Sequence, residues 1–199
     1  MINFENYLYE HVKPIMVKWD EDGIYAISFL VYSNDAFTYQ NYRDISEFAI
    51  CYNTESDFRQ FYNPSASPTE VRWNYAFWRQ NTTHIIDPNE EGNEGISTLF
   101  QWYIENGVEN IGIRSDENQY DEQNNYIGRG PGGYYELLTA VSNVARKLQL
   151  EGFIKEKFGS IPIIVHGLEY DHLTQNATQN ANPNGEADSF LKALDVHFE

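Results

Sequence analysis

The chain has 199 residues, with 13 Lys+Arg against 30 Asp+Glu and a formal net charge of −17. That length suits one domain and is enough to hide roughly 70% of the surface of the unfolded chain. The charge argues against a basic nucleic-acid surface and against docking on anionic lipid, because both need Lys and Arg. The composition, 41% hydrophobic and 16% aromatic, argues against general disorder.

Residues 4–19 carry Phe4, Tyr7, Leu8, His11, Val12, Ile15 and Trp19 in the rhythm of one helical face, with Asn3 as the N-cap. Pro14 lies inside that pattern and predicts a kink or break near Lys13. Residues 20–23 read as a turn. Residues 24–32 are apolar on both faces apart from Ser28, which predicts a central strand. A polar connection over 33–46 leads to a second strand, where Phe48, Ile50 and Tyr52 alternate with Ala49 and Cys51. Residues 55–62 predict a short helix, capped by Thr54 and carrying Asp57 in its first turn.

After a Pro- and Ser-rich loop, Val71, Trp73, Tyr75 and Phe77 alternate. The alternation predicts a strand with those residues facing the core and Trp78 facing out. Thr69-Glu70 just after Pro68 leaves a helix as the alternative. Residues 85–125 hold ten acids (Asp87, Glu90, Glu91, Glu94, Glu105, Glu109, Asp116, Glu117, Asp121, Glu122) and one base, Arg114. Within them Ile96, Leu99, Phe100, Tyr103 and Ile104 form a helical face ended by Asn106-Gly107. Residues 111–113 suggest a short strand and 116–125 a polar loop. The clearest amphipathic helix follows at Tyr134, Leu137, Leu138, Val141, Val144 and Leu148. Residues 160–166 predict a buried strand, and 168–181 and 186–196 two closing helices. The expected fold is a single α+β domain over 1–199. Its central sheet is mixed or mostly antiparallel, with about four to six strands and packed helices.

Chemistry-bearing patterns are incomplete. Gly128-Arg129-Gly130-Pro131-Gly132-Gly133 matches G-x-G-x-x-G, but no buried strand precedes it and Pro131 removes a donor, so a hinge before a helix is the better reading. His166, Glu169, Asp171 and His172 lie within seven residues. Strand-end and helix-start ligands could converge there on a metal ion, although the spacing matches no established metalloenzyme pattern. Acids offsetting a helix dipole are the simpler account. Cys51 sits in an apolar strand pattern, which favours an inert buried thiol over a nucleophile. A single cysteine cannot form an internal disulfide. Residues 1–10 lack a basic region typical of a signal peptide, and no run approaches a membrane span. The expectation is a cytoplasmic protein with no cofactor.

Three stretches, residues 53–58, 70–78 and 164–170, resemble the bacterial family catalogued as domain of unknown function 4303. The string Arg72-Trp73-Asn74-Tyr75-Ala76-Phe77-Trp78 is the most distinctive. The resemblance covers most of the chain and implies a small cytoplasmic protein related to immunity proteins that neutralise bacterial toxins. It carries no catalytic residues.

The leading expectation is a non-enzymatic module that binds a basic protein, such as a toxin domain, and occludes it. Its contact residues would be Glu90, Glu91, Glu94, Glu105, Glu109, Asp116, Glu117, Asp121 and Glu122, anchored by an exposed Trp78 or Tyr126. The alternatives are a small metal-dependent hydrolase built on His166, Glu169, Asp171 and His172, and a housekeeping or structural domain.

Overall fold

The computed structural model describes residues 2–34, 36–60, 66–114, 119–123 and 126–197, with side chains described up to 194. Its element order is α1 (Phe4–Val17), β1 (Ile24–Ser33), β2 (Ser46–Thr54), α2 (Glu55–Gln60), α3 (Pro68–Trp73), a 3-10 turn (Tyr75–Phe77), β3 (Thr83–Ile86), α4 (Glu94–Glu105), α5 (Tyr134–Leu150), α6 (Phe153–Phe158), β4 (Ile163–His166), α7 (His172–Ala181) and α8 (Asp188–His197). The fold is α+β. One four-stranded mixed sheet has the order β3-β2-β1-β4. β1 pairs antiparallel with β2 and parallel with β4, and β2 pairs antiparallel with β3.

The two apolar faces of β1 are explained by helices on both sides of the sheet. Ile27, Phe29 and Val31 enter the larger core with Phe48, Ile50, Ile163 and Val165. α1, α4 and α5 supply its cover through Leu8, Val12, Leu99, Tyr103, Leu137 and Val141. On the opposite face Ala26, Cys51 and Ile164 meet Trp78 and α8, through Phe190 and Leu194.

Local chemistry fixes the helix ends. Asn3 Oδ1 accepts from the Asn6 N–H at 3.0 Å, and α1 then runs through Pro14 without a break. Thr54 and Asp57 form a reciprocal cap. Asp57 N–H donates to Thr54 Oγ1 at 3.1 Å, and Thr54 N–H donates to Asp57 Oδ2 at 3.2 Å.

Residues 71–78 are not a strand. Ser67 Oγ accepts from Glu70 N–H at 3.0 Å, Pro68 opens α3, and Asn74 Oδ1 accepts from Ala76 N–H to start the 3-10 turn. Capping chemistry here overrides period-two alternation. Residues 111–113 form only an isolated bridge, Ile111 to Gly132. β3 was not anticipated; four residues are too few for a periodicity signal. Part of the anticipated Pro- and Ser-rich loop lies outside the described residues.

Candidate functional site

The acidic segment divides in two. Asp116 and Glu117 lie outside the described residues. Glu90 and Glu91 occupy the turn between β3 and α4, Glu94 the first turn of α4, Glu105 its last turn, and Glu109 the chain just beyond. All five are exposed. Asn93 Oδ1 caps α4 by accepting from Ile96 N–H at 3.0 Å, while its amide donates to Glu90 at 2.9 Å. Glu94 thus sits at the positive end of the helix dipole, where a carboxylate is stabilised. Glu105 sits at the unfavourable end. It accepts from Ile2 N–H at 2.6 Å and from Gln101 Nε2 at 3.2 Å, and the Ile2 bond leads in holding its carboxyl below the usual range. Asp121 is half-buried and Glu122 is exposed, both in the loop beyond.

Residues 87–109 contain six acids and no base. Elsewhere several cations are paired with other acids: Lys13 with Glu151 and Arg72 with Glu55, both at 2.7 Å, and Arg114 with Asp44 at 3.1 Å. Among the described residues no cation pairs with Glu90, Glu91 or Glu94.

Ile104 does not join the buried face of α4. It is 71% exposed, and with Tyr39, Tyr42, Phe100 and Gln101 it lines a shallow surface groove bordered by Glu105. Tyr42 packs tilted against Phe100 with ring centroids 5.1 Å apart and is itself 38% exposed. The groove therefore lies on the helix that bears the carboxylates. The i, i+4 step from Phe100 predicts Ile104 on the seam with Ile96, Leu99, Phe100 and Tyr103, but at the edge of that stripe it turns to solvent.

Trp78 is not an exposed anchor. It is 4% exposed in the smaller core, where its Nε1 donates to Arg72 O at 3.0 Å. Tyr25 OH donates to the same carbonyl at 2.8 Å, and the Arg72 guanidinium lies 4.0 Å from the Tyr25 ring centroid. The Arg-Trp-x-x-Ala-x-Trp string thus builds the second core. Tyr126 is half-buried, and its hydroxyl accepts from Gly130 N–H at 2.7 Å.

The His166 constellation does not converge. His166 is fully buried, with Nε2 2.7 Å from Ser28 Oγ and Nδ1 2.6 Å from Gly167 O. Burial drives its pKa down to about 4, so the ring is neutral near pH 7. Asp171 Oδ1 caps α7 by accepting from Leu173 and Thr174 N–H, each at 3.0 Å. Glu169 is exposed, and the buried Nδ1 of His172 has no hydrogen-bond partner. Cys51 is buried and its thiol is pushed up to about 11, chiefly by burial, which makes it unreactive at neutral pH.

The glycine-rich stretch packs as structure. Gly133 takes φ +91 before α5, and a Cβ there would strike the Tyr103 ring. Tyr103 OH donates to Gly133 O at 2.7 Å, occupying the space above the helix start.

One constellation went unnoticed in the sequence. Among the described residues, Glu47, His84 and Asp87 form the group of His, Cys, Asp and Glu whose ligand atoms lie within 4.8 Å of one another. His84 Nδ1 is 3.8 Å from Glu47 Oε2 and 3.7 Å from Asp87 Oδ2. The Glu47 side chain is only 4% exposed, and burial followed by the nearby Asp87 carboxylate pushes its carboxyl up to about 7. The signal was present, since Glu47 continues the Ala49, Cys51 face of β2 by one step of two.

Among the described residues no helix is long and apolar enough to cross a membrane. No family model matches this chain, and neither does any curated protein or solved structure.

Proposed function

We propose that this is a non-enzymatic cytoplasmic binding protein that captures a cationic protein partner on the α4 face. The observation that carries the reading is the pairing of Glu90, Glu91 and Glu94, at the start of α4, exposed and without cation partners among the described residues, with an apolar groove at the other end of that helix. Clustered carboxylates steer a basic partner and raise its association rate. A groove with Tyr42 and Ile104 gives such a partner an apolar anchor beside Glu105. Anchoring thus passes from Trp78 to Tyr42 and Ile104. Toxin immunity, implied by the likeness to the domain of unknown function 4303 family, is one case of this reading. The acidic face would cover the basic surface with which a nuclease toxin grips phosphates.

The test is capture from extracts of the encoding organism at low salt, with the native chain and with a Glu90→Lys/Glu91→Lys/Glu94→Lys chain as bait. The expected result is one basic protein retained in stoichiometric amount by the native chain, released by high salt and lost by the reversed chain. Equal retention by both baits, or no basic protein on either, overturns the reading.

A further inference from the structure

Glu47 poses a problem that the proposed binding face does not answer. Its side chain is buried at the start of β2, yet none of the described donors gives it a hydrogen bond; His84 Nδ1 lies 3.8 Å from its Oε2. A carboxylate on a side chain only 4% exposed, with no hydrogen bond from the described donors, calls for an explanation. It points at an imidazole nitrogen that faces a second carboxylate oxygen, Asp87 Oδ2, at 3.7 Å. Asp87 is already oriented. Its Oδ1 accepts from Asn89 N–H at 2.8 Å, which leaves Oδ2 for the shared space. Such outer hydrogen bonds are how ligand carboxylates are held. The sheet sets the rest, because β2 and β3 pair Ala49 with His84 and Phe48 with Ile86. That register brings His84 and Asp87 beside Glu47.

We propose that Glu47, His84 and Asp87 bind a single zinc ion. One imidazole nitrogen and two carboxylate oxygens are ligands that zinc accepts in tetrahedral sites. Magnesium and calcium take oxygen ligands in greater number, and the imidazole disfavours both. Metal–ligand bonds of about 2.0–2.2 Å place tetrahedral ligand atoms about 3.4 Å apart. The two contacts at 3.7 and 3.8 Å reach that spacing by closing a few tenths of an ångström. Two carboxylates balance the charge of the ion, which removes the cost of burying Glu47 unpaired. Three protein ligands leave the fourth position for water or for an atom of a bound molecule. His84, with a side chain 38% exposed, gives the ion a route in from solvent. The site is independent of the partner-binding reading.

The probe is the metal alone. The full chain is stripped with a chelator and titrated calorimetrically with zinc, manganese, magnesium and calcium. The same titrations are run on Glu47→Gln and His84→Gln, with circular dichroism to check folding. The expected result is one zinc per chain, bound at least a hundredfold more tightly than magnesium or calcium and at least tenfold more tightly than manganese. His84→Gln, on the exposed side, keeps the fold and weakens zinc at least tenfold, as does Glu47→Gln. Cobalt in place of zinc gives the intense visible absorption of a tetrahedral centre. No stoichiometric zinc binding, zinc binding unchanged in His84→Gln, or a preference for manganese each overturns the proposal. Unchanged binding in that variant would place the ion on surface carboxylates.

Discussion

Ser28 Oγ lies 2.7 Å from His166 Nε2, joining β1 to β4 across the middle of the sheet where neither residue meets solvent. Gly167 O satisfies the other ring nitrogen at 2.6 Å. Two polar side chains are thereby accommodated between layers of apolar ones. Ser28→Ala leaves a ring nitrogen unsatisfied and is expected to destabilise the protein by about 1–3 kcal/mol in denaturant unfolding. An unchanged midpoint contradicts this role.

The same pair predicts a pH dependence. His166 has a folded pKa of about 4 against an ordinary value of 6.5. Between those values the unfolded chain binds a proton that the folded chain does not. Stability from this group is therefore complete above about pH 6.5 and is lost as pH falls toward 4. The loss is on the order of 3 kcal/mol. The stability advantage of the native chain over His166→Gln should narrow across that window. A constant difference between the two profiles would show that the ring titrates normally.

Trp78 and Arg72 test the second core. Trp78→Ala removes a buried ring and the Nε1 bond to Arg72 O, with an expected cost of about 3–5 kcal/mol. Trp78→Phe keeps most of the volume and costs less. Neither should change the association rate of a partner with chains that remain folded. A Trp78→Phe chain with native stability and slower association would restore Trp78 to the binding surface.

Thr54→Ala removes the cap of α2 and exposes Asp57 to the loss of its Oγ1 bond of 2.7 Å. The expected cost is about 1 kcal/mol in thermal or denaturant unfolding. No measurable loss would mean that α2 stands on its packing alone.

Much of this architecture was legible before any coordinates. Both-sided apolarity identified β1 as central, and the seams of α4 and α5 named the residues those helices give to the larger core. Ser28, singled out as the polar exception on β1, proved to be the partner of His166. What escaped was local and short. The aromatic run at 71–78 alternates like a strand, yet Ser67, Pro68 and Asn74 decide its backbone. β3 is too short to show a period. Period-two alternation places Glu47 on the inward Ala49, Cys51 face of β2, but its meeting with His84 and Asp87 arises from the pairing of β2 with β3, which linear spacing does not carry. Conversely, His166, Glu169, Asp171 and His172 are neighbours in sequence, but strand burial and helix capping assign them to separate tasks.

Ile104 and Tyr42 should matter to binding and little to folding. Both are exposed on the groove of α4. Ile104→Asp is expected to leave the unfolding midpoint within about 0.5 kcal/mol of native. It should also speed dissociation of a captured basic partner several-fold. A native dissociation rate would remove the groove from the contact surface.

The most direct test of the acidic face is the association rate of the captured basic partner, measured by stopped flow across ionic strength. For the native chain the rate should fall steeply as salt rises, because screening shortens the reach of Glu90, Glu91 and Glu94. The Glu90→Lys/Glu91→Lys/Glu94→Lys chain should associate about tenfold more slowly at low salt, with a flatter slope. The same rate and the same salt slope in both chains would contradict electrostatic capture on α4.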